Sequence, residues 1–247
     1  MAVDDPTRQP REQLIRLVSK TFYRELIEYG VAKDEVLAVA NHLLDNLIGG
    51  APARPSVRPR VDLTIGSVQN RWQTERMLIL DRVALRPLAP ADLDHVASWV
   101  RSSSIRESFV PALPPERADV VEYFLAPSRE SFAIHYEDQL VGVIGAENID
   151  STHRKLEMKK LVGLSQFRGR GIGTRATFLF LYHAFLIRES HKVYIHSLDT
   201  NVHNLNVNSR LGFEVEGIFL EEFNVEGRRV NVVRMALLDP IWRTLFG

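Results

Sequence analysis

The chain has 247 residues, and its 31 basic side chains (Lys and Arg) balance its 31 acidic ones, so the formal net charge is zero. This balance gives no support to a nucleic-acid-binding surface or a polybasic membrane patch, and no apolar run is long enough to span a bilayer. The absence of cysteine excludes disulfides, thiolate metal sites and a cysteine nucleophile, and with an N-terminus that lacks a secretory signal pattern it predicts a cytoplasmic protein.

The first part of the chain predicts two amphipathic helices followed by a connector. We divide the sequence into a helical pair (residues 1–50), a proline-rich connector (51–76) and a larger domain (77–247). Two helices of this size cannot close a core alone. We therefore expect them to pack on the larger domain, on a second copy of the chain as a homodimer, or on another protein. The apolar positions of the first helix recur every four residues, at Leu14, Val18, Phe22 and Leu26.

The larger domain predicts alternating strands and helices, which together form a mixed α/β sheet with helices on both faces. The predicted strands lie at 77–87, 131–137, 140–149, 155–163 and 192–197, with two closing strands from 213 onward. The predicted helices lie at 90–101, 114–125, 174–187 and 202–211.

A glycine-rich loop joins the strand that ends near residue 163 to the long helix that follows. Glycine lets the backbone approach a ligand closely, and the unpaired N–H groups at a helix N-terminus favour an anion. The loop has neither the Lys-Ser/Thr ending of a nucleotide P-loop nor the spacing of a Rossmann fingerprint. It predicts a cradle for a phosphate or pyrophosphate, although a purely structural turn is the alternative for the motif alone. The loop residues are Arg168, Gly169, Arg170, Gly171, Ile172, Gly173 and Thr174.

The residues after the loop extend this motif. Arg168-x-x-Gly171-x-Gly173 opens a helix, a strand follows, and then come Asn201 and the run Leu211-Gly212-Phe213. This combination resembles the GNAT superfamily of acyl-CoA N-acyltransferases. The segments 83–93 and 220–237 look like the branch that acetylates ribosomal-protein N-termini, polyamines and amino sugars. The resemblance covers roughly residues 78–240 and implies a GNAT fold with a mixed, mostly antiparallel sheet.

The resemblance implies that acetyl-CoA is the cosubstrate and that it binds mainly to the backbone. Its pyrophosphate would rest on the loop, and its pantetheine arm would pair with the strand at Leu161, Val162 and Gly163. Asn201 matches the asparagine that contacts the CoA arm, with a helix N-cap as the alternative role. Asn204 and Asn208 stand where relatives carry Ser or Tyr. An amide does not donate a proton near neutral pH, but it can hydrogen-bond to water or sulfur.

Acetyl transfer requires a neutral amine and donors for the oxyanion that develops on the acetyl group. Glu157 is the candidate general base, acting through a water; the alternative is an ordinary ion pair with Lys159 or Lys155. His196 and Ser197 are candidate replacements for the missing proton donor. The histidines show no metal-ligand spacing with carboxylates, so we expect no metal.

The leading hypothesis is an acetyl-CoA-dependent N-acetyltransferase that acts on a primary amine of a small molecule such as an amino sugar or polyamine. We expect the acceptor side to lie between the segment 104–125 and the closing strands. One alternative is an acyl-CoA-binding protein without catalysis. Another is transfer of a longer acyl group, with the missing side chain of Gly163 opening a slot. The acidic residues expected on the acceptor side are Glu107, Glu116, Glu221 and Glu222.

Overall fold

The computed structural model divides the chain into two compact units, residues 1–57 and 58–247. It describes residues 63–102, 116–167, 169–199, 201–225 and 227–247. Within the first unit it describes only five residues, all helical: Ser19, Lys20, Tyr23, Arg24 and Ile27. The rest of the predicted helical pair, and the connector up to residue 62, lie outside the described residues.

Nine strands of the second unit form one sheet in the order β1-β2-β3-β4-β5-β6-β7-β9-β8. Every neighbouring pair is antiparallel except β6 and β7, which run parallel. This arrangement confirms the predicted mixed, mostly antiparallel sheet. The strands are β1 (Gln69–Arg71), β2 (Met77–Leu80), β3 (Val83–Pro87), β4 (Glu130–Tyr136), β5 (Gln139–Asp150), β6 (Lys155–Val162), β7 (Lys192–Leu198), β8 (Glu214–Val225) and β9 (Arg228–Leu238).

Helices cover both faces of this sheet. The α-helices are α1 (Trp72–Glu75), α2 (Leu93–Val100), α3 (Arg117–Leu125), α4 (Ile172–Tyr182), α5 (Val202–Arg210) and α6 (Asp239–Phe246), and α4 continues as a π-helical turn, His183–Ile187. One hydrophobic core packs α4 and α6 against the sheet, and a second packs α2 and α3 against the opposite face. Because side chains alternate along a strand, β6 sends Leu156 and Met158 into the first core and Leu161 into the second.

The start of the domain differs from the sequence prediction in two ways. The single strand predicted at 77–87 is wrong: it is the hairpin β2–β3, and Asp81 adopts the left-handed conformation (φ 53°) at its turn. Aspartate tolerates this conformation better than most residues, so the polar pair Asp81-Arg82 interrupts the apolar run. The sheet also begins upstream of residue 77, because β1 pairs with β2 and Trp72 is buried in the first core.

The end of the domain carries a helix that the sequence analysis did not predict. In α6, Trp242 and Phe246 lie one turn apart and are buried against Phe178 of α4. In the described part of the chain, no helix is both long and apolar enough to cross a membrane.

Candidate active site

The parallel strands β6 and β7 separate partway along their length. Over residues 155–162 and 192–198, all of which the structure describes, they pair at only three positions and end this pairing at Glu157 and Tyr194. Beyond that point β6 stays paired with β5, and β7 with β9. The sheet therefore opens into a V, and in this part the two strands no longer pair with each other, which leaves room for an extended ligand between them.

The glycine loop lies next to the C-terminal end of β6. Gly169 and Gly171 have φ values of 75° and 74°, which L-residues with side chains rarely adopt, and Gly171 is the N-cap of α4. A side chain at Gly173 would lie against Val162 of β6, at 3.8 Å. The positive φ expected of glycines in this loop is thus present at Gly169 and Gly171, and phosphate binding by the loop stays a prediction; Arg168 lies outside the described residues.

A small cavity of about 30 Å³ lies between the separated strands and α5, and we refer to it as the slot. Asn208 is 1% exposed, and its Nδ2 donates to the Asn204 carbonyl (2.8 Å) and to the Asn204 side-chain oxygen (3.1 Å). Within the described chain, the Asn208 Oδ1 has no hydrogen-bond partner. An unused buried acceptor is uncommon and suggests a ligand. The slot residues are Met158, Lys159, Lys160, Ile195, His196, Asn204 and Asn208.

Two further predicted residues hold α5 beside the slot. Asn201 is the N-cap of α5, because its Oδ1 accepts a hydrogen bond from the Asn204 backbone N–H at 3.2 Å. Asn201 therefore has the helix N-cap role, which the sequence analysis gave as the alternative to contact with CoA. Ser197 is buried, and its hydroxyl accepts a hydrogen bond from Asn204 Nδ2 at 3.2 Å. Both side chains position Asn204.

The carboxylate of Glu157 has three polar side chains as partners. Its Oε1 lies 3.0 Å from His196 Nδ1 and 2.7 Å from Lys159 Nζ, and its Oε2 accepts from Asn148 Nδ2 at 2.8 Å. Burial alone would raise the pKa of Glu157, but the hydrogen bond from His196 and the charge of Lys159 outweigh it and lower that pKa to about 2. Glu157 is therefore ionised at any neutral pH. The ion pair with Lys159 that the sequence offered as an alternative is also present.

His196 is held with one ring nitrogen on Glu157 and lies between two aromatic rings. A carboxylate only accepts hydrogen bonds, so Nδ1 carries the proton and Nε2 of the neutral ring is left to accept one. The rings of Tyr194 and Phe219 each have centroids 5.6 Å from the imidazole. Geometry of this kind fixes the tautomer of a histidine and keeps Nε2 available.

A second polar cluster extends from Lys159 towards α3. Glu147 of β5 lies 3.4 Å from Lys159 Nζ and accepts a hydrogen bond from the Tyr123 hydroxyl at 2.7 Å. Burial and the neighbouring charge of Glu147 raise the pKa of Tyr123, so that hydroxyl stays protonated. The guanidinium of Arg129 covers the Tyr123 ring at 3.9 Å. Sequence reasoning missed this cluster, because its members lie on α3, β5, β6 and the loop before β4.

The expected acceptor side is only partly described. Glu107 and the rest of residues 103–115 lie outside the described residues. Glu116, Glu221 and Glu222 are exposed, and the last two lie on β8. The opening expected beside Gly163 is wrong: a Cβ there would come within 2.1 Å of the Trp99 ring, so Trp99 of α2 fills that space.

The residues present fit acetyl-CoA. The φ values of Gly169 and Gly171 shape a backbone cradle at the N-terminus of α4, and Asn208, whose Oδ1 has no described partner, is one of the residues that line the slot. In the described part of the chain, no cluster of three His, Asp or Glu side chains is arranged to hold a metal ion.

Comparisons with known proteins agree with this geometry. The chain is 26% identical to spermidine N(1)-acetyltransferase of Escherichia coli K12 over 166 residues, which are 64% of this chain and 86% of that protein. It is 28% identical to the Vibrio cholerae enzyme of the same name over 103 residues, 42% of this chain and 59% of that protein. A crystal structure of Vibrio cholerae spermidine N-acetyltransferase with CoA and spermine has a similar fold (TM-score 0.60, 23% identity, 65% of this chain and 98% of that one). The model of the Acetyltransferase (GNAT) domain matches residues 82–214, more than half of the chain. The chain therefore belongs to the GNAT family and is an acetyl-CoA-dependent N-acetyltransferase.

Proposed function

We propose that this enzyme acetylates a primary amine of a small polyamine-like molecule. The observation that carries the proposal is the Glu157–His196 pair at the edge of the V, because acetyl transfer needs a group that removes a proton from the amine. The relatives named as spermidine acetyltransferases support the choice of amine. Amino sugars remain the second group of acceptors to test.

His196 is the proton acceptor in this proposal, and Glu157 positions it. The pKa of Glu157, lowered to about 2, makes this carboxylate a weak base, and both of its oxygens already accept hydrogen bonds. Nε2 of His196 accepts no hydrogen bond from any described residue, because the ring bonds to Glu157 through Nδ1. Bound acetyl-CoA supplies the activated acetyl group. Glu157 holds the imidazole in the tautomer that accepts a proton, and it stabilises the imidazolium that forms.

The test is direct: purified protein is mixed with acetyl-CoA and a panel of amines, and release of free thiol is measured. The panel contains spermidine, spermine, glucosamine and a peptide with a free N-terminus. We expect turnover with the polyamines and little with the peptide. Tight binding of acetyl-CoA without acceptor-dependent thiol release would favour the alternative of a binding protein. Turnover with octanoyl-CoA equal to that with acetyl-CoA would favour longer acyl groups, against the filled space at Trp99.

The N-terminal helices are an interaction element in this proposal and do not contribute to catalysis. Their predicted apolar faces need cover, and a homodimer or a docked partner would provide it. Deletion of residues 1–60 removes them and stops short of Leu63, which is buried in the core of the second unit. We expect acetyl-CoA affinity within a few-fold of the full-length protein and a changed oligomeric state by light scattering. Loss of acetyl-CoA binding would show that the helices belong to the catalytic domain.

A cytoplasmic location also remains a prediction, and cell fractionation tests it.

A further inference from the structure

A cavity of about 420 Å³ lies at the end of α4 that is remote from the glycine loop, and we refer to it as the distal cavity. His183, which lines it, comes about three helical turns, or 16 Å, after Ile172 at the start of α4. The volume is in the range of small-molecule sites. The described residues around it all differ from those of the slot: Trp72, Arg76, Pro87, Glu130, Ser131, Phe132, His183, Ile187 and Arg188.

The π-helical turn at the end of α4 brings two polar side chains to this cavity. Residues five apart in an α-helix lie about 140° from each other around the helix axis. Here the backbone N–H of Arg188 donates to the carbonyl of His183 at 2.8 Å, so the two residues lie about one turn apart, and both line the cavity. Single π-helical turns of this kind occur frequently at functional sites.

His183 is a buried polar residue of the distal cavity whose ring has no described hydrogen-bond partner. The residue is 7% exposed, and neither ring nitrogen bonds to a described residue. The imidazole instead contacts the rings of Trp72 and Phe132, at centroid distances of 4.6 Å and 4.9 Å. Buried polar groups are nearly always hydrogen-bonded, so an unpaired imidazole on the wall of a cavity suggests a ligand.

The charges around His183 favour an anion. The guanidinium of Arg76 lies 4.7 Å from the centroid of the Trp72 ring and forms no ion pair with a described residue. Arg188 pairs with Glu130, so only one of the two guanidinium charges is compensated. Burial and the charges of Arg188 and Arg76 lower the pKa of His183 to about 4, which leaves the ring neutral at neutral pH. Positive charges that disfavour an imidazolium attract an anion.

The rest of the wall is apolar and selects among anions. A bare inorganic ion would leave these apolar side chains in contact with water. An anion that carries an apolar group would cover them, and burial of apolar surface favours binding. The apolar residues of the wall are Trp72, Pro87, Phe132 and Ile187.

We propose that the distal cavity binds a small organic anion with an apolar body, such as an aromatic carboxylate or sulfonate. The anionic group lies between Arg76 and His183, and the apolar body lies against Trp72. The bound anion stabilises the imidazolium form of His183, so a proton binds together with the ligand. The other charged groups described around this histidine are Arg188, after the π-helical turn, and Glu130 of β4.

Benzenesulfonate is the probe, because its sulfonate stays charged across the pH range and its ring is apolar. Calorimetry measures its affinity for the full-length wild type, Arg76→Gln and Arg82→Gln. Arg82 is the matched control, since it is also an exposed arginine and lies outside the distal cavity. We expect Arg76→Gln to weaken benzenesulfonate about 5-fold, and Arg82→Gln to leave its affinity unchanged. Absence of binding to wild type, or equal affinities of the two variants, would overturn the proposal.

Two further ligands separate the charge from the apolar body. Benzenesulfonamide keeps the ring and is neutral, and methanesulfonate keeps the charge without the ring. We expect each to bind wild type about 10-fold more weakly than benzenesulfonate. Equal binding of the sulfonamide would show that the cavity does not select an anion, and equal binding of methanesulfonate would show that it does not select an apolar body. Either result contradicts the proposal.

The titration of His183 locates the bound anion. Nuclear magnetic resonance follows the histidine rings at pH 5–7.5 with and without saturating benzenesulfonate, and His183→Gln identifies the signal. We expect the ligand to raise the pKa of His183 from about 4 by about 1–2 units. The signal of His153, which is exposed and bonded to Asp150, should not respond. An unchanged His183 titration would place the anion elsewhere and refute the site. These measurements need neither acetyl-CoA nor an amine, so their outcome is independent of the proposed function.

Discussion

Replacing Glu157 with glutamine tests the division of roles between Glu157 and His196. The substitution keeps the shape of the side chain and removes the charge that faces His196 Nδ1 at 3.0 Å. A hydrogen bond to a charged group contributes about 1.5–3 kcal/mol, and each 1.36 kcal/mol in an activation barrier is a factor of ten. We therefore expect Glu157→Gln to lower kcat by about 10- to 150-fold. Removing the proton acceptor itself, in His196→Gln, should cost about 10²- to 10⁴-fold.

Steady-state thiol release at saturating acetyl-CoA measures these losses, with thermal unfolding as the test of folding. If Glu157 acts only through His196, the double variant should be no slower than His196→Gln alone, because residues that work as a unit are not additive. Glu130→Gln of β4 is the control: Glu130 is also an acid paired with a base, Arg188 at the end of the π-helical turn, and the variant should stay within a few-fold of wild type. The reasoning is refuted if Glu157→Gln loses more activity than His196→Gln, since Glu157 would then be the base.

Gly171→Ala should weaken CoA binding at least 10-fold by calorimetry. The control Gly227→Ala introduces the same left-handed strain (φ 83°) in the β8–β9 turn and should leave the affinity unchanged. Equal CoA affinities of the two variants would show that the loop is not part of the site. Gly163→Ala should lower the free energy of unfolding by about 1–3 kcal/mol, measured in urea, because the new methyl group meets the Trp99 ring. In a Trp99→Leu background, Gly163→Ala should have almost no effect on this free energy. Additive losses from the two substitutions would contradict the contact between Gly163 and Trp99. Burial lowers the pKa of His183 from 6.5 to about 4, so between these values the unfolded state binds a proton that the folded state does not. The free energy of unfolding should therefore fall as the pH drops from 6.5 to 4, by up to about 3 kcal/mol. His183→Gln should flatten this part of the plot of unfolding free energy against pH, and an unchanged slope would show that other groups cause it.

The parts of the fold that could be predicted from the sequence are those determined by local rules. The glycine loop is an example, because positive φ at Gly169 and Gly171 is a property of the residue type and its neighbours. The end of α5 at Gly212, with φ 94°, followed from the same rule. The hairpin turn at Asp81 was missed, since a two-residue polar break in a long apolar run resembles a solvent-facing pair within one strand.

The interactions of the site could not be predicted, because they join residues that are distant in sequence. Glu157 and His196 meet only because β6 and β7 run parallel and in register, which pairs Glu157 with Tyr194. The sequence identified both residues but gave no means of linking them. Lys160 was not identified at all. Its neighbour Lys159 is chemically identical, and only the alternation along β6 decides which of the two faces α4.

This alternation places two adjacent lysines of one strand in different surroundings. Residues of odd number on β6 face α2 and α3, where Glu157 and Lys159 meet His196. Residues of even number face α4, where Lys160 lies beside the slot. On the first face the Lys159 ammonium pairs with Glu157 at 2.7 Å, whereas on the second the Lys160 ammonium donates to the Thr177 hydroxyl of α4 at 2.7 Å. The plane of the sheet keeps them apart, and the V between β6 and β7 is the place where a ligand can reach both sides.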